Sequence, residues 1–69
     1  MGVMMIAHRV YCETDTGVRA AAPANDETHG ELIAQAVLGT ERRGGIICLA
    51  HVQESIDGGE WVTVAEWEY

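Results

Sequence analysis

The chain has 69 residues, with eleven acidic side chains against four arginines and no lysine, so its formal net charge is −7. A chain of this length forms one domain, residues 1–69, and its 48% apolar content excludes the disorder that high charge brings when hydrophobicity is low. The acidity disfavours direct binding to nucleic acid or to anionic membranes and favours a basic partner.

The first predicted element is a strand over residues 3–12, which are rich in β-branched and long apolar side chains and contain no glycine or proline. Residues 13–17 have turn chemistry, with Gly17 free to take a positive φ. Residues 18–22 are predicted to return as a short second strand, although alanine packs weakly on a pleated surface. Pro23 is expected to end that strand.

A helix is predicted to run from Asp26 or Thr28 to Arg43. Both starting residues are good N-caps, and the glycines at 44–45 form a stop signal after two arginines that suit the negative end of the helix dipole. Apolar residues recur at three- and four-residue spacing and predict a stripe buried against the rest of the protein. The predicted stripe comprises Leu32, Ile33, Ala36, Val37 and Thr40.

The C-terminal third is predicted to be a β-hairpin, with strands over residues 46–53 and 61–69 and a tight turn at residues 57–59. The expected fold class is α+β, a small antiparallel sheet of three or four strands with one α-helix packed on one face, in the order β(β)αββ. One helix covers only one side of such a sheet. The other face must therefore meet water or a partner.

The last strand leaves two interpretations of its faces open. Strict alternation places Trp61, Trp67 and Tyr69 on one face together with Thr63 and Ala65, and the glutamates and valines on the other. Either the valines or the aromatic row meets the helix while the rest is ordinary surface, or the aromatic side chains remain exposed as binding anchors.

Two cysteines and three histidines raise the question of zinc or Cys-His catalysis. Strand geometry opposes zinc, because Cys48 and His51 would lie on opposite faces and His8 and Cys12 would lie about 13 Å apart. Neither thiol has a glycine-framed elbow or an orienting group beside it, and a domain this small rarely encloses a catalytic pocket. We therefore predict a protein that is not an enzyme, with no metal and no cofactor.

The expected location is the cytoplasm. No apolar run reaches the roughly 20 residues that span a bilayer, and the first residues lack the cationic region of an export signal. Cys12 and Cys48 are accordingly expected to be reduced rather than joined in a disulfide.

Ten of the eleven acidic residues form three groups along the chain. Solubility alone explains a net charge of this size, and the alternative is that some carboxylates imitate a row of phosphates. Glu66 and Glu68 share a strand face at about 6.6 to 6.8 Å, which suits such a row. The groups are Glu13 and Asp15 in the first turn, Asp26, Glu27 and Glu31 at the helix start, and Glu54, Asp57, Glu60, Glu66 and Glu68 on the hairpin.

In its size, its acidity, a helix over residues 25–43 flanked by short strands and the aromatic, acidic ending 60–69, the chain resembles the small phage-encoded anti-CRISPR proteins that inhibit type I surveillance complexes. These proteins share no motif, so the likeness is one of general character. The resemblance implies a non-catalytic DNA mimic that binds the basic channel of a Cas subunit in the bacterial host cytoplasm and blocks target DNA binding. The expected partner-binding residues are Asp26, Glu27, Glu31, Glu54, Asp57, Glu60, Trp61, Glu66, Trp67 and Glu68.

The alternative is a structural or regulatory module that self-associates through the uncovered sheet face or an open edge strand. The sequence leaves the oligomeric state open as a monomer or a homodimer, and self-association requires at least the homodimer. Salt distinguishes the two hypotheses, because an acidic channel blocker loses affinity as ionic strength rises whereas an apolar dimer hardly responds.

Overall fold

The computed structural model describes residues 2–69, and Met1, which belongs to the predicted domain, lies outside them. The described residues form one antiparallel sheet with one helix, so the predicted α+β class is confirmed. Within the described residues, no helix is long and apolar enough to cross a membrane. The elements are β1 (Ile6–Thr14), β2 (Arg19–Ala24), α1 (Glu27–Val37), β3 (Glu41–Arg42), β4 (Gly45–Ile56) and β5 (Val62–Glu68).

The sheet is built around the antiparallel pair β1 and β4. β2 pairs with the outer side of β1, and β5 and the short β3 both pair with the other side of β4. Val10 lies opposite Val52, and Cys12 lies opposite Ala50. Helix α1 packs on the face that carries these side chains, and the buried cluster consists of Val10, Ala34, Ala50 and Val52.

The helix ends six residues before the predicted end at Arg43. Leu38 is its C-cap, and Gly39 follows with a φ of 83°, the left-handed conformation with which many helices end. Its N–H donates to the carbonyl oxygen of Ile47 at 2.8 Å. The stop signal is therefore Gly39, and the predicted stop at 44–45 is wrong.

The two arginines assigned to the helix end instead belong to a second hairpin. Arg42 pairs with Gly45, and the turn between β3 and β4 has Arg43 at φ 51° and Gly44 at φ 82°. Two successive positive φ values characterise the type I′ turn, which matches the twist of the strands it joins.

The buried stripe of the helix is rotated from the predicted one. Ile33 and Val37 are half-buried as predicted, and Gly30 and Ala34 are buried. Leu32 is 63% exposed, and Ala36 and Thr40 are also exposed, so their assignment to the stripe was wrong. The small residues explain the rotation, because Gly30 and Ala34 let the helix backbone approach the sheet closely.

The second strand passes through Pro23 and ends at Ala24, so the predicted end at residue 22 is wrong. Pro23 lies opposite Arg9 in the register of β1 and β2. β2 is an edge strand, and an edge position does not require the N–H that proline lacks.

A β-bulge in β5 divides the aromatic residues of the last strand between the two faces. Ala65 lies opposite Val52 and Thr63 lies opposite Gln53, so Val64 between them is an extra residue with no partner on β4. Trp67 therefore packs against the core beneath the helix, whereas Trp61 lies on the uncovered side over Arg9. The predicted single aromatic row is wrong, although both the predicted hairpin and its turn at 57–59 are confirmed.

Candidate functional site

The side of the sheet opposite the helix, called the open face below, carries a layer of polar and aromatic side chains. Register and side-chain contacts place alternate residues of four strands and the residue before β5 on it. They include the apolar Leu49 and the polar or aromatic residues Arg9, Tyr11, Glu13, Arg19, His51, Gln53, Trp61, Thr63, Glu66 and Glu68.

Arg9 begins a row of polar contacts across the open face. Its guanidinium lies 4.3 Å from the centroid of the Trp61 ring, a cation–π contact, and its Nε donates to Gln53 Oε1 at 2.7 Å. Gln53 Nε2 donates in turn to Thr63 Oγ1 at 3.2 Å. The row joins β1, β4 and β5, and it ends at the Trp61 ring beneath the guanidinium of Arg9.

His51 continues the contacts toward the middle of the face. Its Nδ1 lies 3.4 Å from Thr63 Oγ1, and its Nε2 lies 3.4 Å from Glu66 Oε2. The imidazole is also tilted against the ring of Tyr11 with centroids 6.0 Å apart. Glu66 therefore has a neighbouring imidazole, whereas the sequence alone presented it as a solvated acid.

Glu13 is the third connected group of the open face. The phenol of Tyr11 donates a short hydrogen bond to Glu13 Oε1, and Arg19 Nε lies 3.3 Å from the same oxygen. The hydrogen bond to the carboxylate raises the pKa of Tyr11 above 10.0, because it stabilises the protonated phenol, and desolvation acts in the same direction.

The charge of the open face is nearly balanced. It carries three acids, Glu13, Glu66 and Glu68, against two arginines, which gives a balance of −1. The other eight acids, with a balance of −6 after the two remaining arginines, lie on the helix, β3, the loops and the helix side of β4. Most of the acidity lies away from the open face.

Two of those acids, Glu27 and Glu54, meet beside the start of the helix. Together with Glu31, the next acid along the helix, they are called the acidic patch below. The carboxylates of Glu27 on α1 and Glu54 on β4 converge with His8 of β1, with one ligand-type atom of each within 4.8 Å of the others. His8 Nε2 lies 3.5 Å from Glu54 Oε2. Glu31 follows Glu27 by one helical turn and so lies on the same side of the helix.

Sequence reasoning missed His8 as a member of this group. The signal that could have found it is the register of β1 on β4, which sets His8 opposite Glu54. No local pattern specifies that register, because it depends on how two strands forty residues apart align their apolar side chains.

Two of the predicted partner-binding acids, Asp26 and Asp57, also accept hydrogen bonds from backbone N–H groups. Asp26 is the N-cap, and its Oδ1 accepts the N–H of His29 at 2.8 Å, while His29 Nδ1 accepts the N–H of Asn25 at 2.9 Å. Asp57 Oδ1 accepts the N–H of Met5 at 2.8 Å and thereby ties the hairpin turn to the N-terminal segment.

The ten predicted partner-binding residues therefore do not form one surface. They fall into a set on the helix side, a set on the open face and a pair in the loop between β4 and β5. Because the sheet separates the first two sets, a single flat partner cannot contact both. Asp26, Glu27, Glu31, Glu54 and Trp67 lie on the helix side, Trp61, Glu66 and Glu68 on the open face, and Asp57 and Glu60 in the loop between β4 and β5.

Both cysteines carry free thiols. Cys12 packs against the core cluster, and burial raises its pKa above 9.0 despite the opposing charge of Arg42. Cys48 Sγ donates a weak hydrogen bond to the carbonyl oxygen of Glu13 at 3.7 Å. The raised pKa of Cys12 makes its thiol a poor nucleophile.

The ends of β1 and β4 extend beyond the helix and leave an apolar surface exposed. The molecule is elongated, 48 Å in its longest dimension. An open cleft of about 520 Å³ lies at this end, where Val3, Met5 and Ile6 meet Trp61. Val3 is 86% exposed and Met5 73% exposed, so this end offers apolar contact area to another molecule.

No protein-family model, curated protein sequence or solved structure matches this chain.

Proposed function

We propose that this chain is a non-catalytic inhibitor that binds a basic, nucleic-acid-binding surface of another protein through the acidic patch. The partner that the anti-CRISPR resemblance implies is a Cas subunit of a type I surveillance complex, whose DNA site the protein would block. The observation that carries the proposal is the convergence of Glu27 and Glu54 from two different elements.

The patch concentrates negative charge where few cations oppose it. Among the residues described, no arginine forms an ion pair with Glu27, Glu31 or Glu54, and the contacting base at the patch is the imidazole of His8. Clustered charge of one sign attracts a Lys- and Arg-lined channel and accelerates encounter with it. On the open face, by contrast, the acids are nearly balanced by arginines.

The patch is held by ordered structure and has apolar neighbours. The Asp26 cap secures the first turn of the helix, and β4 is paired on both sides where it carries Glu54. Leu32 follows Glu31 and is 63% exposed, and Val62 lies opposite Glu54 and is 57% exposed. These side chains supply the apolar contact that lengthens residence once charge has brought the partners together.

The test is a gel shift of purified type I surveillance complexes on target DNA, with and without this protein, in buffer containing EDTA. We expect loss of DNA binding that recovers as salt rises, because ionic strength screens exposed charges. Undisturbed DNA binding by every complex in the panel, at low salt and with excess protein, would contradict the proposal.

Two double charge reversals locate the surface. Glu27→Lys with Glu31→Lys reverses two of the three charges of the acidic patch, and Glu66→Lys with Glu68→Lys makes the same charge change on the open face. We expect the first variant to lose inhibition and the second to retain most of it. Equal loss in both would mean that net charge rather than the patch determines binding, and loss only in the second would assign the interface to the open face.

Self-association remains a second candidate function because of the apolar end of β1 and β4. Ile6 and Ile56 lie opposite each other there, and both are about half exposed at 47% and 46%. A homodimer that covers this end would be stable in high salt, since apolar burial does not depend on screening. Light scattering at low and high salt tests it, and a monomer at all concentrations would exclude it.

A further inference from the structure

We propose that His8, Glu27 and Glu54 form a binding site for a divalent first-row transition-metal ion, for which Zn²⁺ is the probe. The inference does not rest on the proposed inhibitor function. It concerns one cluster of three side chains, none of which takes part in the backbone hydrogen bonds of the strands or the helix.

The geometry of the three donor atoms suits a common ion. Ligands about 2.0 to 2.2 Å from a tetrahedral metal lie roughly 3.4 Å from one another. His8 Nε2 and Glu54 Oε2 already lie 3.5 Å apart, and one donor atom of each of the three side chains lies within 4.8 Å of the others. Only the third ligand must move inward, and Glu27 is exposed and can change rotamer without repacking the core.

The donor set distinguishes this cluster from an ordinary group of surface acids. It combines an imidazole nitrogen with two carboxylate oxygens, and each comes from a different element, β1, α1 and β4. Imidazole and carboxylate together suit zinc and its neighbours, whereas magnesium and calcium prefer oxygen alone. Three protein ligands would leave one position open to water.

The electrostatics of the cluster also favour a cation. Two carboxylates this close repel each other, and they lie on a protein of net charge −7. The side chain of His8 is only 12% exposed and that of Glu54 only 30%, so solvent screens the pair less than it screens surface acids. A divalent ion would convert the repulsion between Glu27 and Glu54 into two attractive contacts.

The test compares Zn²⁺ binding by the full chain and two single-charge variants, measured by calorimetry without any partner protein. Glu27→Gln removes a proposed ligand from an exposed position, so the variant will fold. Glu31→Gln makes the same change one helical turn away, outside the cluster. We expect about tenfold or greater loss of affinity for the first variant. For the second, which changes a neighbouring charge but none of the three donor atoms, we expect a change of about twofold or less.

Nuclear magnetic resonance of the imidazole rings provides a second readout. Zn²⁺ should shift a ring nitrogen of His8 and leave those of His29 and His51 unchanged, and Co²⁺ should bind without a thiolate charge-transfer band. No binding by the wild-type chain, equal affinity of both variants, ligation of His51 or His29, or a thiolate band would each overturn the site. Because inhibition is assayed in EDTA, either proposal can fail without the other.

Discussion

Gly30 of the helix lies directly against Val52 of β4. A Cβ atom on Gly30 would come within 2.9 Å of Val52 Cγ1 and 3.2 Å of its Cγ2. Val52 is fully buried and is the largest fully buried side chain. This contact sets how closely the helix approaches the sheet, and it explains why the stripe runs through Gly30 and Ala34 instead of Leu32.

Gly30→Ala should destabilise the protein by about 1 to 3 kcal/mol. The steric cost of the added methyl group against Val52 should exceed the gain in helix propensity from glycine to alanine. Urea denaturation measures the effect. Val52→Ala provides the control, since it removes the clashing methyl groups, and the double variant should be more stable than the sum of the two single changes predicts. Additive effects would mean that the two residues do not touch.

The two tryptophans should differ in their contribution to stability. Trp67→Ala should cost about 2 to 4 kcal/mol, because the side chain packs against the core cluster beneath the helix. Trp61→Ala should cost about 1 kcal/mol or less, the usual worth of an exposed cation–π contact such as that with Arg9. Thermal denaturation followed by circular dichroism compares them, and equal losses would contradict the placement of these residues on opposite faces.

Replacing Arg43 should stabilise the hairpin between β3 and β4. Arg43 has φ 51°, and a side chain in this region is strained relative to glycine or asparagine. Arg43→Gly should therefore raise the free energy of unfolding by about 0.5 to 1 kcal/mol. Asp57→Gly is the matched change in the other turn, at φ 52°, but it should bring no gain because it removes the acceptor for the Met5 N–H.

Stability should fall in alkaline solution as Tyr11 ionises. Its pKa is raised in the folded protein, so its hydrogen bond to Glu13 contributes fully below the unfolded value near 10.0 and is lost as pH rises through the folded value. Absorbance titration of a Tyr69→Phe background isolates the phenol of Tyr11. Adding Glu13→Gln should lower the pKa of Tyr11 toward 10.0. An unchanged pKa would show that Glu13 is not the cause of the shift.

The fold class was predictable because the helix and the two long hairpin strands at the C-terminus each have a local signal. The Asp57-Gly58 pair marks the last turn, and the cap at Asp26 marks the start of the helix. The helix end was missed because two glycine signals compete, at Gly39 and at Gly44, and the choice depends on a long-range contact. The N–H of Gly39 bonds to Ile47, which lies on another element.

The composition of the candidate site was predictable, but its arrangement was not. Every acid of the patch was identified from the chain, whereas His8 was not, because only strand register brings it to Glu54. The same limit applies to the tryptophans, since one bulged residue, Val64, reverses the alternation on which their shared face depended.

The sequence by itself determined the net charge and predicted the antiparallel sheet with its single helix. These follow from composition and from contacts within a few residues. Only the tertiary structure decided where the helix ends, which face holds each tryptophan and which acids meet. Those outcomes depend on backbone hydrogen bonds and side-chain packing between residues distant in the chain, and a shift of one residue in register moves a side chain to the opposite face.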